Sequence, residues 1–430
     1  MKYLMSFTVA ILSGLLLFGQ ASNPNVESFE YVWKTVRDKH WDPQLGGVNW
    51  QAVHDEMRPR VEKAESVHET RAILTEMLGR LHQSHFGIIP GTAYAELGAG
   101  SSTLGGDGTV GLDVRVIHGE AVVTSVDSDS PAAKAGVLPG WIVKKVDANE
   151  IKPMISQYPH QAEEEGNLRD LTLRRAILLR FAGAVGESAH CAFLDDHDQP
   201  VYKNIVRAEP RGNLTTLGYL GPARVWFEAR QFKAGERKIE YVAFNMFLDP
   251  ANLMPEFGSA VESCLKCDGF IIDLRGNPGG LGAMATGMAS WFIDKQSLLG
   301  TLYLRESALK FMINPRANTY AGPLAILVDH TTASTAEILA GGLQDLKRAT
   351  VFGERTAAAA LPSVIERLPN GDAFQFAIAN YVSEGGKALE ANGVVPDEVA
   401  PWTRGMLLEH RDSALQAAVE WIGHQKVSHE

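Results

Sequence analysis

Pro323-Leu324-Ala325-Ile326-Leu327-Val328-Asp329 is followed almost at once by Thr332-Ala333-Ser334-Thr335-Ala336-Glu337-Ile338-Leu339, and this join decides how the chain is read. A short apolar run bounded by polar residues predicts a buried strand, and the 335–346 pattern predicts a helix. A serine at that junction is held at a helix N-terminus, where free N–H groups and the helix dipole can stabilise a developing oxyanion. The same strand–turn–helix geometry carries nucleophiles in other hydrolases. Ser334 and Glu337 also spell S-x-x-E, a capping box that stabilises helices without any chemistry. The motif alone therefore decides nothing.

Working outward, Asp273-Leu274-Arg275-Gly276-Asn277-Pro278-Gly279-Gly280 follows a second apolar strand at 269–274. Amides exposed in such a glycine turn can supply a second oxyanion donor beside the N–H of Thr335. Further strands are expected at 239–248 and 374–382, with an amphipathic helix at 414–422. Strands alternating with helices after about Arg207 indicate an α/β or α+β domain. Upstream, Phe29, Val32, Trp33, Val36 and later Ile73, Leu74, Met77, Leu78 recur at helical spacing, interrupted by Trp41-Asp42-Pro43 and Gly46-Gly47. Residues 91–107 are rich in Gly and Ser and read as a flexible connection. From Thr109 the texture changes to short strands at 110–114, 121–126 and 138–146, with a one-turn helix at 130–136 between the last two and a longer helix at 168–181.

The chain has 430 residues, enough for about three domains. Apolar residues make up 45% and charged residues 21%, which excludes wholesale disorder. A net charge of −11 argues against a general nucleic-acid binder. Lys2, the apolar run from Tyr3 to Phe18 and Gly19-Gln20-Ala21 read as a signal peptide over residues 1–21. No later apolar run reaches the roughly 18–20 residues of a membrane helix. An exported protein, periplasmic or secreted, is expected, with no stable membrane span. The three cysteines include Cys264-Leu265-Lys266-Cys267, which reads as a local disulfide or two free thiols; the partners a metal site needs are not visible in the sequence.

Taken together, DLRGNPGG, TASTAEILAGGLQD, GERT and NGVVPD, in that order over roughly 208–405, resemble the protease domain of the tail-specific, or carboxyl-terminal processing, serine proteases. The upstream stretch SPAAKAGVLPGWIVKKVDA is similar to a PDZ domain, a module that such proteases often carry. The resemblance implies a multidomain α+β fold: a helical cap (22–90), a linker (91–107), a PDZ-like β-rich module (108–207), a crotonase-like ββα protease core (208–405) and a C-terminal helix (406–430). It places Ser334 on the nucleophile position and Gly279, within one residue, on the oxyanion glycine beside Thr335. Gly111, Leu112, Asp113 and Val114 fall on the loop and edge strand that receive a peptide terminus.

One departure bears on mechanism. Bacterial members pair the serine with a lysine in a segment like T-F-G-K-G, whereas this chain has Thr356-Ala357-Ala358-Ala359-Ala360-Leu361. The branch similar to the tricorn protease core uses Ser, His and Glu. Leu81-His82-Gln83-Ser84-His85-Phe86 and Leu389-Glu390-Ala391 resemble its motifs. The resemblance then implies His85 as base, Glu390 as its orienting acid and Ser84 as a helper. His330 is a rival base, Glu354 and Glu384 are rival acids, and Lys387 is the fallback lysine. His82 and His85 also spell H-x-x-H, but no third ligand is evident. No metal or other cofactor is expected. The partners expected are peptide or protein substrates, taken through free C-termini, with no nucleic acid; the sequence says nothing of oligomeric state. A histidine base implies an acid limb near pH ~6–7.5. The alternative reading is a catalytically silent binder of apolar ligands or peptides on the same fold.

Overall fold

The computed structural model describes residues 23–91, 107–157, 163–217 and 220–426. The expected signal peptide and nearly all of the expected 91–107 linker lie outside the described residues.

The N-terminal region is three helices, Pro24–Lys39, Trp50–Glu62 and Val67–Gly79. Each starts at a residue whose side chain accepts from the first turn: Asn23, Asn49 and Ser66. Their apolar stripes meet in one core that joins Phe29, Val32 and Trp33 to Met57, Leu74 and Met77. That core also contains Leu368, Phe374 and Phe376, from almost 300 residues later. A short strand, Gly87–Ile89, completes the junction by pairing antiparallel with Ala373–Ala377. The helical region is thus sewn to the far end of the chain.

Residues 112–206 build an antiparallel sheet in the order Leu112–Ile117, Glu120–Val126, Ile142–Val146, Ser188–Leu194, Pro200–Val206. The first strand is an edge, and the helix Glu163–Phe181 lies against it. Leu173, Ile177 and Phe181 of that helix enter the sheet's core. The strand expected at 110–114 begins two residues later and runs on to Ile117.

A third region is a six-stranded sheet ordered Phe227–Ala234, Arg237–Phe244, Gly269–Asp273, Leu324–Val328, Thr350–Gly353, Glu398–Val399. Only the first pair is antiparallel. Alternation fixes its two faces. Phe270, Ile272, Leu324, Ile326 and Val351 point to the core shared with helices Pro250–Ser263, Gly282–Ala289 and Thr335–Asp345. Ile271, Ala325, Leu327 and Phe352 point to the other face, covered by Ser413–His424. The parallel strands end together, so the loops after Asp273, Val328 and Gly353 emerge on one rim, where open α/β sheets place their sites.

Two expectations need correction. The single strand expected at 374–382 is two strands, Ala373–Ala377 and Ala379–Ser383, in different sheets. The chain turns at Ile378, whose N–H donates to Pro362 O at 2.9 Å. Phe374 and Phe376 are buried before the corner and Ala379, Tyr381 and Ser383 after it, so the buried positions change parity there, which the apolar run through Ile378 conceals. The tail expected as one helix over 406–430 is two, Arg404–Leu408 and Ser413–His424. The first docks on the 112–206 sheet, where Leu407 packs with Ile117, Val122 and Ile142. Of the two states left open for the CxxC pair, Cys264 and Cys267 form a disulfide, while Cys191 is free and buried.

Candidate active site

Ser334 sits where Leu324–Val328 turns into Thr335–Asp345, with φ +58° and ψ −123°. A non-glycine residue persists there only when its surroundings hold it, and such strain gathers at functional sites. The surroundings can be named. The Ser334 N–H donates to Ala359 O at 2.8 Å and to Glu337 Oε2 at 2.9 Å. Thr335 Oγ1 donates to Gly280 O at 2.8 Å, which fixes the glycine turn to the helix start. Gly279 packs so closely that a Cβ there would lie 2.6 Å from Ser334 Cβ and 2.7 Å from Thr335 N. Only glycine fits.

The capping-box expectation for Glu337 was too small. Its fully buried carboxylate accepts from Ser334 N, from Thr356 Oγ1, from Ala358 N at 2.9 Å and from Ala359 N at 3.1 Å. Burial pushes its pKa up to about 7, against the pull of these donors. Thr356 Oγ1 also accepts from Val394 N at 2.7 Å, which ties the GERT and NGVVPD segments together. Only the S-x-x-E spacing hinted at any of this.

The alanines at 357–360 are each at most 7% exposed and form an ordered strap over the nucleophile loop. Ala357 N donates to Thr332 O, and Ala391 N donates to Ala358 O. This strap offers only methyl groups and backbone to the Ser334 loop.

The other candidates come together from distant segments. Ser84 Oγ lies 2.7 Å from His85 Nδ1 and donates to Glu390 Oε2 at 2.8 Å, while Ser84 N donates to Glu390 Oε1 at 2.7 Å. Ala360 N also donates to Glu390 Oε2, at 3.0 Å. Consecutive strap residues therefore bond Ser334 and Glu390: Ala359 through its carbonyl, Ala360 through its amide. His85, Ala358 and Ala391 share Ser334's positive φ. Desolvation pulls the His85 pKa down to about 4, so its imidazole is neutral at pH 7. Burial pushes Glu390 up, although its Ser84 and Ala360 donors pull the other way.

The rivals lie elsewhere. His330 Nδ1 is 3.5 Å from Glu354 and its Nε2 is 4.0 Å from Asp170. Burial disfavours its charged form, but Glu354, Asp329 and Asp170 outweigh that and raise its pKa. Glu384 is exposed, and Lys387 pairs with Asp345 at 2.9 Å. The Gly279 N–H donates to Asn277 Oδ1 at 2.9 Å, so it is already engaged. Among the described residues, two groups offer three potential metal ligands, and neither includes His82 or His85.

Behind the nucleophile loop lies an ion network that the sequence did not announce. Arg115, 3% exposed, reaches from the edge strand to Asp329 at 2.7 Å and to Asp113 at 2.9 Å. Arg174 holds Asp113 at 2.8 Å and donates to Gly276 O at 3.2 Å. Asp329 Oδ1 accepts from Gly276 N and Thr331 N. Burial would raise both aspartates, but the arginines outweigh it and keep them well below the usual carboxylate range.

Residues 238–400 match the model of Peptidase family S41, and residues 25–79 match the Tricorn protease C1 domain. The carboxyl-terminal-processing protease of Picosynechococcus sp. is 32% identical over 399 residues, covering 91% of this chain and 87% of that one. The carboxy-terminal processing protease CtpA of Bacillus subtilis is 25% identical over 67% of this chain and 54% of its own length. Among solved structures, the photosystem II D1 C-terminal processing protease superposes with a TM-score of 0.61 at 21% identity, covering 94% of this chain and 98% of that one. Mature CPAF superposes with a TM-score of 0.61 at 13% identity, covering 93% and 95%. The chain belongs to peptidase family S41, the carboxyl-terminal processing proteases, and is a serine peptidase.

Proposed function

We propose that this peptidase is an exported endopeptidase that works through Ser334, His85 and Glu390. The observation that carries the reading is the pair of adjacent strap residues, Ala359 bonded to Ser334 and Ala360 bonded to Glu390. It ties the Ser334 backbone and the Glu390 carboxylate to adjacent residues of one strap, which supports placing them in one site. Ser334 Oγ attacks the scissile carbonyl, and neutral His85 takes its proton and later returns it to the leaving amine. Ser84 passes the orienting effect of Glu390 to Nδ1 through its hydroxyl. The N–H of Thr335 is one oxyanion donor. Because the Gly279 N–H is given to Asn277, we assign the second donor to Gly280, one residue on.

Residues 22–90, 108–207 and 208–405 act in this reading as cap, PDZ-like module and crotonase-like core. The edge strand Leu112–Ile117, with a helix beside it and Gly111 at φ +75°, suits addition of a peptide strand ending in a carboxylate. Gly111, Leu112, Asp113 and Val114 would receive it, and Asp113 is already neutralised by two arginines.

A fluorophosphonate probe tests the catalytic half. Labelling at Ser334 that disappears in Ser334→Ala supports it, and an unlabelled chain that still binds apolar ligands supports the silent-binder alternative. For recognition, a peptide with a free terminal carboxylate is compared with its amide on the full chain. Equal affinity for the two would overturn carboxylate reading.

A further inference from the structure

Far along the core from Ser334, Glu240 on the strand Arg237–Phe244 comes against the disulfide that follows the helix Pro250–Ser263. We propose that Glu240, Cys264 and Cys267 form a site for one thiophilic divalent cation, Zn²⁺ in kind, which opens when the disulfide is reduced.

Three observations meet there. The two sulfurs and a Glu240 carboxylate oxygen all lie within 4.8 Å of one another. Glu240, Cys264 and Cys267 are 2%, 0% and 3% exposed. Glu240 Oε2 is buried with no hydrogen-bond partner, so a carboxylate faces the pair with one oxygen unsatisfied. An unpaired buried carboxyl is costly unless something compensates it. A bound dication would do so. A lone CxxC has too few ligands for a closed zinc site, but two thiolates and one carboxylate are three of four, as in sites that keep a water in the last position. Thiolates select zinc over magnesium or calcium. Gln231 stands opposite Glu240 on the neighbouring strand, and its amide donates to Ser263 Oγ at 3.3 Å and Ser263 O at 3.5 Å.

The chemistry balances. A small dithiol reduces the Cys264–Cys267 bond to two thiols and is itself oxidised to a disulfide. The cation then binds both sulfurs as thiolates and releases two protons. In an oxidising compartment the disulfide persists and the site stays closed.

The test uses the full chain, reduced with a phosphine and kept anaerobic, titrated with Co²⁺ as a visible stand-in for Zn²⁺. The expected result is one equivalent bound, with thiolate-to-cobalt charge-transfer absorption, and no such absorption in the oxidised chain. Cys264→Ser and Cys267→Ser should each remove the absorption. Outer partners of metal sites are worth about 10–100-fold, so losing a direct ligand in Glu240→Gln should weaken binding at least about tenfold. Near-UV circular dichroism follows the fold throughout. If reduction alone unfolds the chain, recovery of the native spectrum on adding Zn²⁺ supports the site, and failure to recover overturns it. A reduced, folded chain without cobalt absorption overturns it too, as does absorption that survives in the serine variants.

Discussion

The Ser334 loop is held between two polar networks of opposite electrostatics. Behind it, Arg115 and Arg174 neutralise Asp113 and Asp329, and both acids are driven below their usual range. In front, Glu337 and Glu390 meet hydroxyl and amide donors but no cation in direct contact, and both are pushed up. Compensated charges fix a scaffold, because each partner is lost only at the cost of stranding the other. Uncompensated carboxyls and a desolvated neutral imidazole are poised to exchange protons. In the proposed reading, the two networks divide the side that frames from the side that reacts.

That contrast can be broken at several points. Ser334→Ala and His85→Ala should each lower kcat/KM by at least about 10⁴-fold with an unchanged circular dichroism spectrum, since each removes an actor in proton transfer or attack. Substantial turnover in either variant would place the reaction elsewhere. Glu390→Gln should cost up to about 10⁴-fold and Ser84→Ala about 10²-fold, the hydroxyl link being partly replaceable by water. Equal losses in both would show that the serine acts directly.

Behind the loop, the expected effect is on stability. Arg115→Met leaves Asp329 buried without its partner and should destabilise the fold by about 3–5 kcal/mol in denaturant titrations. Adding Asp329→Asn should restore part of the loss.

The pH profile sharpens the comparison. In the proposed mechanism catalysis needs neutral His85, so kcat/KM should rise as pH passes upward through the imidazole pKa and be flat above it. Burial takes that pKa to about 4, so the acid limb should fall below pH ~5 and not in the 6–7.5 window that an unperturbed histidine implies. A limb near 7 would mean that charge, not desolvation, governs the base. The smallest effect on catalysis is expected from Lys387→Ala, which removes the exposed partner of the buried Asp345 carboxylate and should leave the acid limb where it was.

The local readings that succeeded rest on periodicity and turn chemistry. The Leu324–Val328 strand, the helix from Thr335 and the glycine turn at 276–280 were all visible, because each depends on neighbours in sequence. Glu337 was legible only as a cap, since the strap that fills its oxygens arrives some twenty residues later. Arg115 and Asp329 looked like ordinary polar residues, because a long-range ion pair leaves no local pattern. The corner at Ile378 was invisible because the apolar run passes through it unbroken, although the buried positions shift from Phe374 and Phe376 to Ala379 and Tyr381. His85 and Glu390 were suggested by resemblance alone; nothing in their spacing from Ser334 could have joined them, and the structure links the two through Ser84.

The short strand Gly87–Ile89, seated on Ala373–Ala377, has a consequence for biosynthesis. Ser84 and Glu390 stand 306 residues apart, and the seat for the His85 segment, Ala373–Ala377, is made long after that segment. Chains emerge N-terminus first at about 5–20 residues per second. In the proposed reading, a nascent chain that already displays Ser334 still lacks the platform for His85 and the acid Glu390. On this arrangement proteolytic competence arrives only after residues 373–390 have been made, and a chain released before that point carries Ser334 without its partners.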